Sequence, residues 1–293
     1  MPKLPPKSRP LDRVVKERLH LNGENPAMLR LVRGAINFSD TLNRTISGKP
    51  FFGLRESESM LHDLSDLQGM AVIDEVLARQ GGTQIQPHGL DNIAGDGGVV
   101  IAATHPTGMF DFLAHAAVLL DKRPDLKVVA NQEVEKFLGP DLIVGVKIDK
   151  NNRTTNGRQT QRAMTDHLNA GGALLIFGSG RVPDRRGGHL VEPAWRKGAS
   201  KVSKATQSMI VPASLDTRNS NAYYRTRAIA RFLSGGNDNF GAMIGSLRYS
   251  AEMMEKLGGC YDVHYGAPLA AGTPPDNIKA HAEALVPGLY SPA

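Results

Sequence analysis

The chain has one cysteine, few aromatic residues and no long hydrophobic run. Its single cysteine, Cys260, excludes an intramolecular disulfide framework and suits a reducing compartment. The nine histidines show no HExxH-like spacing, and no cysteine cluster offers a zinc site. No stretch approaches the roughly 20 apolar residues that a membrane-spanning helix requires, and no apolar run follows the basic start as in a signal peptide. We therefore expect a cytoplasmic protein that has no transmembrane helix and binds no metal.

Aromatic residues make up only 5% of the chain and are not interleaved with basic residues, although the net charge is +6. Proteins that bind single-stranded nucleic acid stack bases on aromatic side chains, so we expect no nucleic-acid partner. The excess positive charge lies mostly in the first 60 residues, which carry 11 Lys and Arg against six Asp and Glu. Such a surplus suits an anionic membrane surface or an anionic small substrate.

The hydrophobic patterns divide the chain near residue 84. Four prolines in residues 1–10 indicate an extended tail, and two helical patterns follow over residues 26–47 and 58–78. Beyond residue 98, short β-rich runs alternate with helical patterns, the last of them over residues 240–257, and this alternation is typical of an α/β protein. We predict an N-terminal tail and helices over residues 1–84 and an α/β domain over residues 85–293. Its sheet should be mixed but largely parallel, with helices on both faces and the site beyond the carboxyl ends of strands.

The first candidate motif is the run VVIAATHPTGMFD over residues 99–111. An apolar strand leads to His105 in a Pro-Thr-Gly turn, and Asp111 follows early in the next helix. A histidine acts as a general base when a carboxylate on its other ring nitrogen fixes its tautomer and orientation. The motif holds no serine or cysteine nucleophile, so the histidine would activate a hydroxyl or amine of a second substrate. A structural histidine capped by an aspartate is the competing interpretation.

Two further runs carry candidate binding residues. Arg153 ends the basic run VKIDKNNR, where a guanidinium could hold a phosphate or carboxylate, or where the following helix simply presents a solvated basic face. In LLIFGSGRVP, Gly178 and Gly180 flank Ser179 after a buried strand, and Arg181 follows. Turned-out amides at such glycines could donate to an anion or an oxyanion, although a glycine pair is also an ordinary tight turn. A fourth run, MIVPASL over residues 209–215, is an apolar strand interrupted by proline.

Taken in order, the four runs resemble the glycerophosphate and lysophospholipid acyltransferase superfamily over roughly residues 87–268. Its blocks are a His followed by an Asp, a Gly-to-Arg stretch, a Phe-Pro-Glu-Gly-like loop and a Val-Pro strand. They correspond to residues 105–111, 145–153, 177–181 and 210–213.

Two departures narrow the resemblance. Five residues separate His105 from Asp111 where four are usual, and Ser179 stands where many members have Glu. Both features, with EPAWRKGA at residues 192–199 and DTRNSN at residues 216–221, resemble the hemolysin-like branch that forms ornithine lipids.

The resemblance implies an O-acyltransferase without a resident cofactor, which moves a fatty acyl group from acyl carrier protein or coenzyme A to a lysolipid. It implies His105 as the base, Asp111 as its partner, and substrate contacts from the turn at Thr107 and Gly108. Acceptor binding would fall to Arg153 and to the loop Gly178, Ser179, Gly180 and Arg181. The missing Glu favours a lyso-ornithine or other aminolipid over a glycerophosphate. The helix over residues 26–47 would rest on the anionic inner face of the cell membrane, or pack on the core.

Three alternatives to this function follow from the same residues. An inactive lipid-binding protein of the same fold would keep the pocket without the chemistry. An acyl ester or thioester hydrolase would use water in place of the lipid, although no Gly-x-Ser-x-Gly elbow is present. A basic nucleic-acid protein is disfavoured by the sparse aromatic residues.

Overall fold

A computed structural model describes residues 11, 12, 15, 26–131, 135–146 and 153–291. Within them, helices and strands alternate along most of the chain. The helices are α1 (Pro26–Ser47), α2 (Leu54–Asp63), α3 (Met70–Ala78), α4 (Met109–Lys122), α5 (Glu135–Leu138), α6 (Arg153–Asn169), α7 (Gly198–Thr206), α8 (Asn221–Leu233), α9 (Asp238–Gly245), α10 (Tyr249–Met254) and α11 (Pro275–Ala284). The strands are β1 (Gln84–His88), β2 (Val99–Ala103), β3 (Lys127–Asn131), β4 (Ile143–Val146), β5 (Ala173–Phe177), β6 (Asp184–Arg186), β7 (His189–Val191), β8 (Met209–Leu215) and β9 (Cys260–Tyr265).

Seven strands form one sheet in the order β1-β9-β8-β2-β5-β3-β4. Every neighbouring pair runs parallel except β8 and β9, which are antiparallel. The strands β6 and β7 form a separate antiparallel hairpin. The predicted fold class, an α/β protein with a mixed and largely parallel sheet, is therefore confirmed.

Strand β2 lies at the centre of the sheet between β5 and β8, and all five of its residues are buried. A strand covered on both faces needs a continuous apolar sequence rather than an alternating one, which VVIAA supplies. One face packs against α6, α7 and α11 through a core that includes Val100, Leu174, Ile210, Leu168, Val202 and Ile278. Helix α4 lies along β1, β8 and β9.

The chain divides into two compact units, residues 1–66 with 219–255, and residues 67–218 with 256–293. The sheet and the helices α3–α7 and α11 belong to the second unit. No sequence pattern indicated that α8, α9 and α10 would group with the N-terminal helices. The predicted boundary near residue 84 stays a prediction.

In the first unit, helix α1 has two apolar faces. Leu29 and Ile36 are buried in a small cluster with Val15 and Leu54. A second set of apolar side chains on the same helix is largely exposed, namely Met28, Leu31, Phe38, Leu42 and Ile46. The helix therefore packs through one side and leaves an exposed apolar face, which we define by those five residues.

Buried charges hold the helices of the first unit together. Arg33 contacts Asp12 and Glu58, each at 2.7 Å. The fully buried Asp40 accepts hydrogen bonds from the backbone N–H groups of Phe52, Gly53 and Leu54 at the start of α2. These donors would otherwise be unpaired at a helix N-terminus, so the carboxylate replaces the missing partners.

Several predicted helices are interrupted in the structure. The single pattern over residues 58–78 is two helices, α2 and α3, because the chain turns at Gly69, whose φ of 62° is in the left-handed region. The predicted helix over residues 240–257 is likewise divided, into α9, a short 3₁₀ turn and α10. Strand β1, the β6–β7 hairpin and α11 were not predicted. Among the described residues, no helix combines the length and apolar character needed to cross a membrane.

Candidate active site

The candidate catalytic residues lie at the edge of the sheet where β2 and β5 end. Ala103, the last residue of β2, is in register with Phe177 of β5 and Ala213 of β8. The chain continues to His105 after β2, and to the loop of residues 178–181 after β5. Because parallel strands end at the same edge, the first and third predicted blocks lie side by side.

Asp111 is fully buried at the start of α4 and receives several hydrogen bonds. The backbone N–H groups of Thr107 and Gly108 donate to its carboxylate at 3.0 Å and 2.9 Å, and the Thr107 hydroxyl donates to it as well. Gly108 has a φ of 94°, which favours glycine, and it sets Asp111 at the third helical position. The five-residue spacing is thus that of a turn followed by a helix cap. Thr107 and Gly108, predicted to contact substrate, use these N–H groups to hold Asp111.

His105 lies against this carboxylate. Its Nδ1 atom is 2.8 Å from Oδ2 of Asp111, which is an ion-pair distance, but the contact lacks the alignment of a hydrogen bond. The ring stacks on Phe177, with 4.4 Å between the ring centroids, and its side chain remains 19% exposed. Phe177 packs on one face of the imidazole and the carboxylate lies beside Nδ1, so Nε2 is the ring nitrogen on the side away from Asp111.

The third-block loop is held mainly by its own backbone. The Gly178 N–H donates to the Ala103 carbonyl at 3.0 Å, and the Gly180 N–H donates to the Phe177 carbonyl at 3.1 Å. A side chain at Gly178 would overlap the Trp195 ring, and Gly180 has a φ of 62°. The backbone N–H groups of the two glycines, which the sequence suggested as donors to an anion, therefore donate to carbonyl groups of the protein instead. Substrate binding by this loop, with the buried Ser179 and the exposed Arg181, stays a prediction.

The second predicted block is described only in part. Helix α6 begins at Arg153, but the side chain of Arg153 and residues 147–152 lie outside the described residues. Farther along this helix, Arg158 and Arg162 are exposed, and Arg162 lies 3.7 Å from Asp166 one turn on. Those two arginines fit the solvated basic face. The role of Arg153 in acceptor binding stays a prediction.

A carboxyl group that sequence reasoning did not place in the site belongs to Glu192, just after β7. Its residue is only 4% exposed, and the Trp195 indole N–H donates to Oε1 at 3.1 Å. Burial raises the pKa of Glu192 to about 7, while hydrogen bonding from Ser179 and Trp195 and the nearby charge of His105 oppose the rise. Both Glu192 and Trp195 stood in the EPAWRKGA run, but nothing in that run showed what they contact.

A second histidine, His115, lies one helical turn beyond Asp111 on α4. It is fully buried, and its Nδ1 atom is 3.2 Å from the Tyr265 hydroxyl. Burial lowers the pKa of His115 to about 4, with the Asp111 charge opposing this change and the His105 charge adding to it. His115 is therefore neutral at physiological pH, and only its place on the apolar side of α4 could have signalled its burial.

Acidification should destabilise the fold through His115. The unfolded chain binds this proton near pH 6.5, whereas the folded protein binds it only near pH 4. The contribution is present above pH 6.5 and is lost as the pH falls towards 4, at roughly 3 kcal/mol in full. Urea unfolding of wild type and His115→Gln at several pH values measures it. The variant should show a shallower loss over this range, and parallel pH dependences would contradict the assignment.

The sheet and the His105–Asp111 pair together indicate a class of enzyme. An α/β sheet presents a histidine backed by a buried carboxylate at its carboxyl edge, with no nucleophile in the same motif. This arrangement suits transfer of an acyl group to a second substrate. A family model described as Acyltransferase matches residues 55–274, and the chain belongs to that acyltransferase family.

The sequence and the fold were also compared with those of known proteins, with different results. No curated protein matches the sequence. Among solved structures, the chain is similar to the crystal structure of the 1-acyl-sn-glycerophosphate (LPA) acyltransferase PlsC from Thermotoga maritima, with 13% sequence identity and a TM-score of 0.42. That alignment covers 89% of this chain and 95% of the other. Within the described part of this chain, no group of three or more His, Cys, Asp or Glu residues is arranged to hold a metal ion.

Proposed function

We propose that the protein is an O-acyltransferase that moves a fatty acyl group from a thioester of acyl carrier protein or coenzyme A to a lysolipid. The observation that carries the proposal is the 2.8 Å contact between Nδ1 of His105 and the buried carboxylate of Asp111. Nε2 takes the proton of the acceptor hydroxyl as its oxygen attacks the thioester carbon. The carbon–sulfur bond then breaks, and the imidazolium returns the proton to the departing thiolate.

The acceptor in this proposal is a lyso-ornithine lipid or another lyso-aminolipid, with a lysophospholipid as the second choice. Support comes from the branch-like runs at residues 192–199 and 216–221 and from Ser179 in place of the usual Glu. The acceptor would lie over the loop of residues 177–181 and near Arg153. Hemolysin-like membership is part of the same proposal.

The test is an acyl-transfer assay with the purified full-length protein. Labelled acyl carrier protein and coenzyme A thioesters are each incubated with lyso-ornithine lipid, lysophosphatidic acid or no acceptor, and lipids and free fatty acid are separated. We expect a labelled diacyl product that requires acceptor. Free fatty acid formed at the same rate without acceptor would replace the proposal with the hydrolase. Substrate binding without either product would favour an inactive lipid-binding protein.

We further propose that the exposed apolar face of α1 rests on the anionic inner surface of the cell membrane. Leu31, Phe38, Leu42 and Ile46 recur at helical spacing and are each more than half exposed. The opposite face of α1 packs within its own unit. Folding of that unit therefore does not bury these four side chains. Basic residues predominate in the first 60 positions and would add attraction to anionic lipids.

Charges on this face should release the protein from vesicles. Burying a Phe or Ile side chain contributes about 1.5–3 kcal/mol, so Phe38→Asp with Ile46→Asp should weaken binding at least about tenfold. Co-sedimentation with phosphatidylcholine vesicles, with and without phosphatidylglycerol, measures the change. Thr45→Asp, an exposed polar position on the same helix, is the matched control. Equal binding to both vesicle types, or none, would count against the membrane role.

A further inference from the structure

The carboxyl group of Glu192 is buried beside the candidate site without full pairing. Oε1 accepts the Trp195 indole N–H, but Oε2 is buried and has no hydrogen-bond partner among the described residues. An unpaired buried carboxyl oxygen costs free energy, so an uncompensated carboxyl is kept only where something else requires it.

Two contacts connect Glu192 to the third-block loop. Ser179 lies close enough to the carboxyl to favour its ionised form, although the Ser179 hydroxyl donates its hydrogen bond to the Arg181 carbonyl at 2.9 Å. Trp195, which donates to the same carboxyl, lies directly over Gly178, where an added Cβ would come within 2.0 Å of its ring. Glu192 therefore holds Trp195 over Gly178 and lies beside Ser179, in a loop whose sequence lacks the acidic residue of the related loops.

Glu192 is also coupled electrostatically to His105. The positive charge of a protonated His105 favours the ionised form of Glu192. An ionised Glu192 in turn attracts the positively charged imidazolium that a general base becomes during the reaction. The coupling passes through a site with little solvent to screen it, because Glu192 is only 4% exposed.

We propose that Glu192 is a positioning residue of the acyl-transfer site, which supplies from a separate segment the carboxylate that the loop lacks at Ser179. It holds Trp195 over the loop at Gly178, and its charge stabilises His105 when that residue has taken the acceptor's proton. The catalytic part of this inference rests on the proposed function, whereas the coupling between the two residues does not.

The coupling has a readout that needs no substrate. Trp195 is the only tryptophan of the chain and donates to Glu192, so its fluorescence should report ionisation of that carboxyl. We expect an emission change centred near pH 7 in wild type, absent in Glu192→Gln, and moved to higher pH in His105→Ala. Glu283→Gln removes a neighbouring carboxylate that opposes Glu192 ionisation, so it should keep the transition and move it to lower pH.

The kinetic arm uses the same variants. Glu192→Gln should lower kcat about tenfold with little change in the acceptor KM, because the imidazolium loses a nearby negative charge in a site with little solvent. Glu192→Asp should recover part of the loss, and Glu283→Gln should keep kcat near pH 7 at the wild-type value or up to about twofold above it, because more of Glu192 is then ionised. Thermal unfolding of each variant verifies that it is folded.

The outcomes separate this inference from the proposed function. A fluorescence transition that persists in Glu192→Gln, or that does not move in His105→Ala, overturns the coupling whether or not the protein transfers acyl groups. A full kcat in folded Glu192→Gln overturns the positioning role. Absence of acyl transfer in wild type, with the predicted fluorescence shifts intact, removes the proposed function and leaves the coupled pair established.

Discussion

His105→Ala should lower kcat for acyl transfer by about 10² to 10⁴, which is the usual contribution of a positioned general base. Without the imidazole, the acceptor hydroxyl must lose its proton to water while it attacks the thioester. Both KM values should change little, because the role proposed for His105 is to accept a proton and not to bind either substrate. Steady-state kinetics with separate titration of donor and acceptor measures kcat and both KM values.

A second histidine–aspartate pair in the same chain provides the control. Nε2 of His88 lies 2.7 Å from Oδ1 of Asp262, about as close as His105 is to Asp111, but these side chains are 51% and 44% exposed. His88→Ala should therefore keep wild-type kcat, which would show that proximity to a carboxylate is not enough. A folded His105→Ala protein with near wild-type turnover would rule out the general-base role.

The sequence was sufficient for features whose contacts are local. Asp111 follows His105 by six positions, and a strand, a turn and one helical turn are enough to bring the pair together. The alternation of apolar strands with helices likewise predicted the parallel sheet, because a strand buried on both faces must be apolar throughout. These are cases in which spacing and hydrophobicity determine the neighbour.

Features that depend on distant segments were not predictable in the same way. Glu192 reaches Ser179 only after the chain has formed the β6–β7 hairpin and turned back. The sequence left two interpretations of the loop glycines open, donation of their N–H groups to an anion or an ordinary tight turn, and in the structure neighbouring carbonyls accept both N–H groups. Which backbone donors remain available depends on every segment around them, and a single sequence does not encode that in its local pattern.

Helix α1 shows how a correct pattern can leave its meaning open. The stripe over residues 26–47 predicted the helix and its bounds, but an apolar side chain looks the same whether it faces protein or lipid. The structure divides the stripe into a buried side and an exposed side. Membrane contact and packing, which the sequence posed as alternatives, are therefore compatible on opposite sides of one helix.

Substitution of Asp111 should separate the catalytic from the structural role of this carboxylate. In Asp111→Asn, the amide oxygen can still accept from Gly108, and the Thr107 hydroxyl can turn to accept from the amide nitrogen. The fold should largely persist, while kcat falls by about 10² to 10⁴ because no negative charge stabilises the imidazolium. Asp111→Ala should lose activity and stability together, since the Thr107 and Gly108 donors lose this acceptor at a cost of about 1–3 kcal/mol each.

Asp40 is the matched control, because it is also fully buried and also accepts backbone N–H groups at a helix start, in the other unit. Asp40→Asn should reduce the free energy of unfolding but leave kcat per folded molecule unchanged. Denaturant unfolding combined with kinetics on the folded fraction distinguishes the cases. If Asp111→Asn lost stability like Asp40→Asn but kept its kcat, the carboxylate would be a helix cap alone, and the base at His105 would act without it.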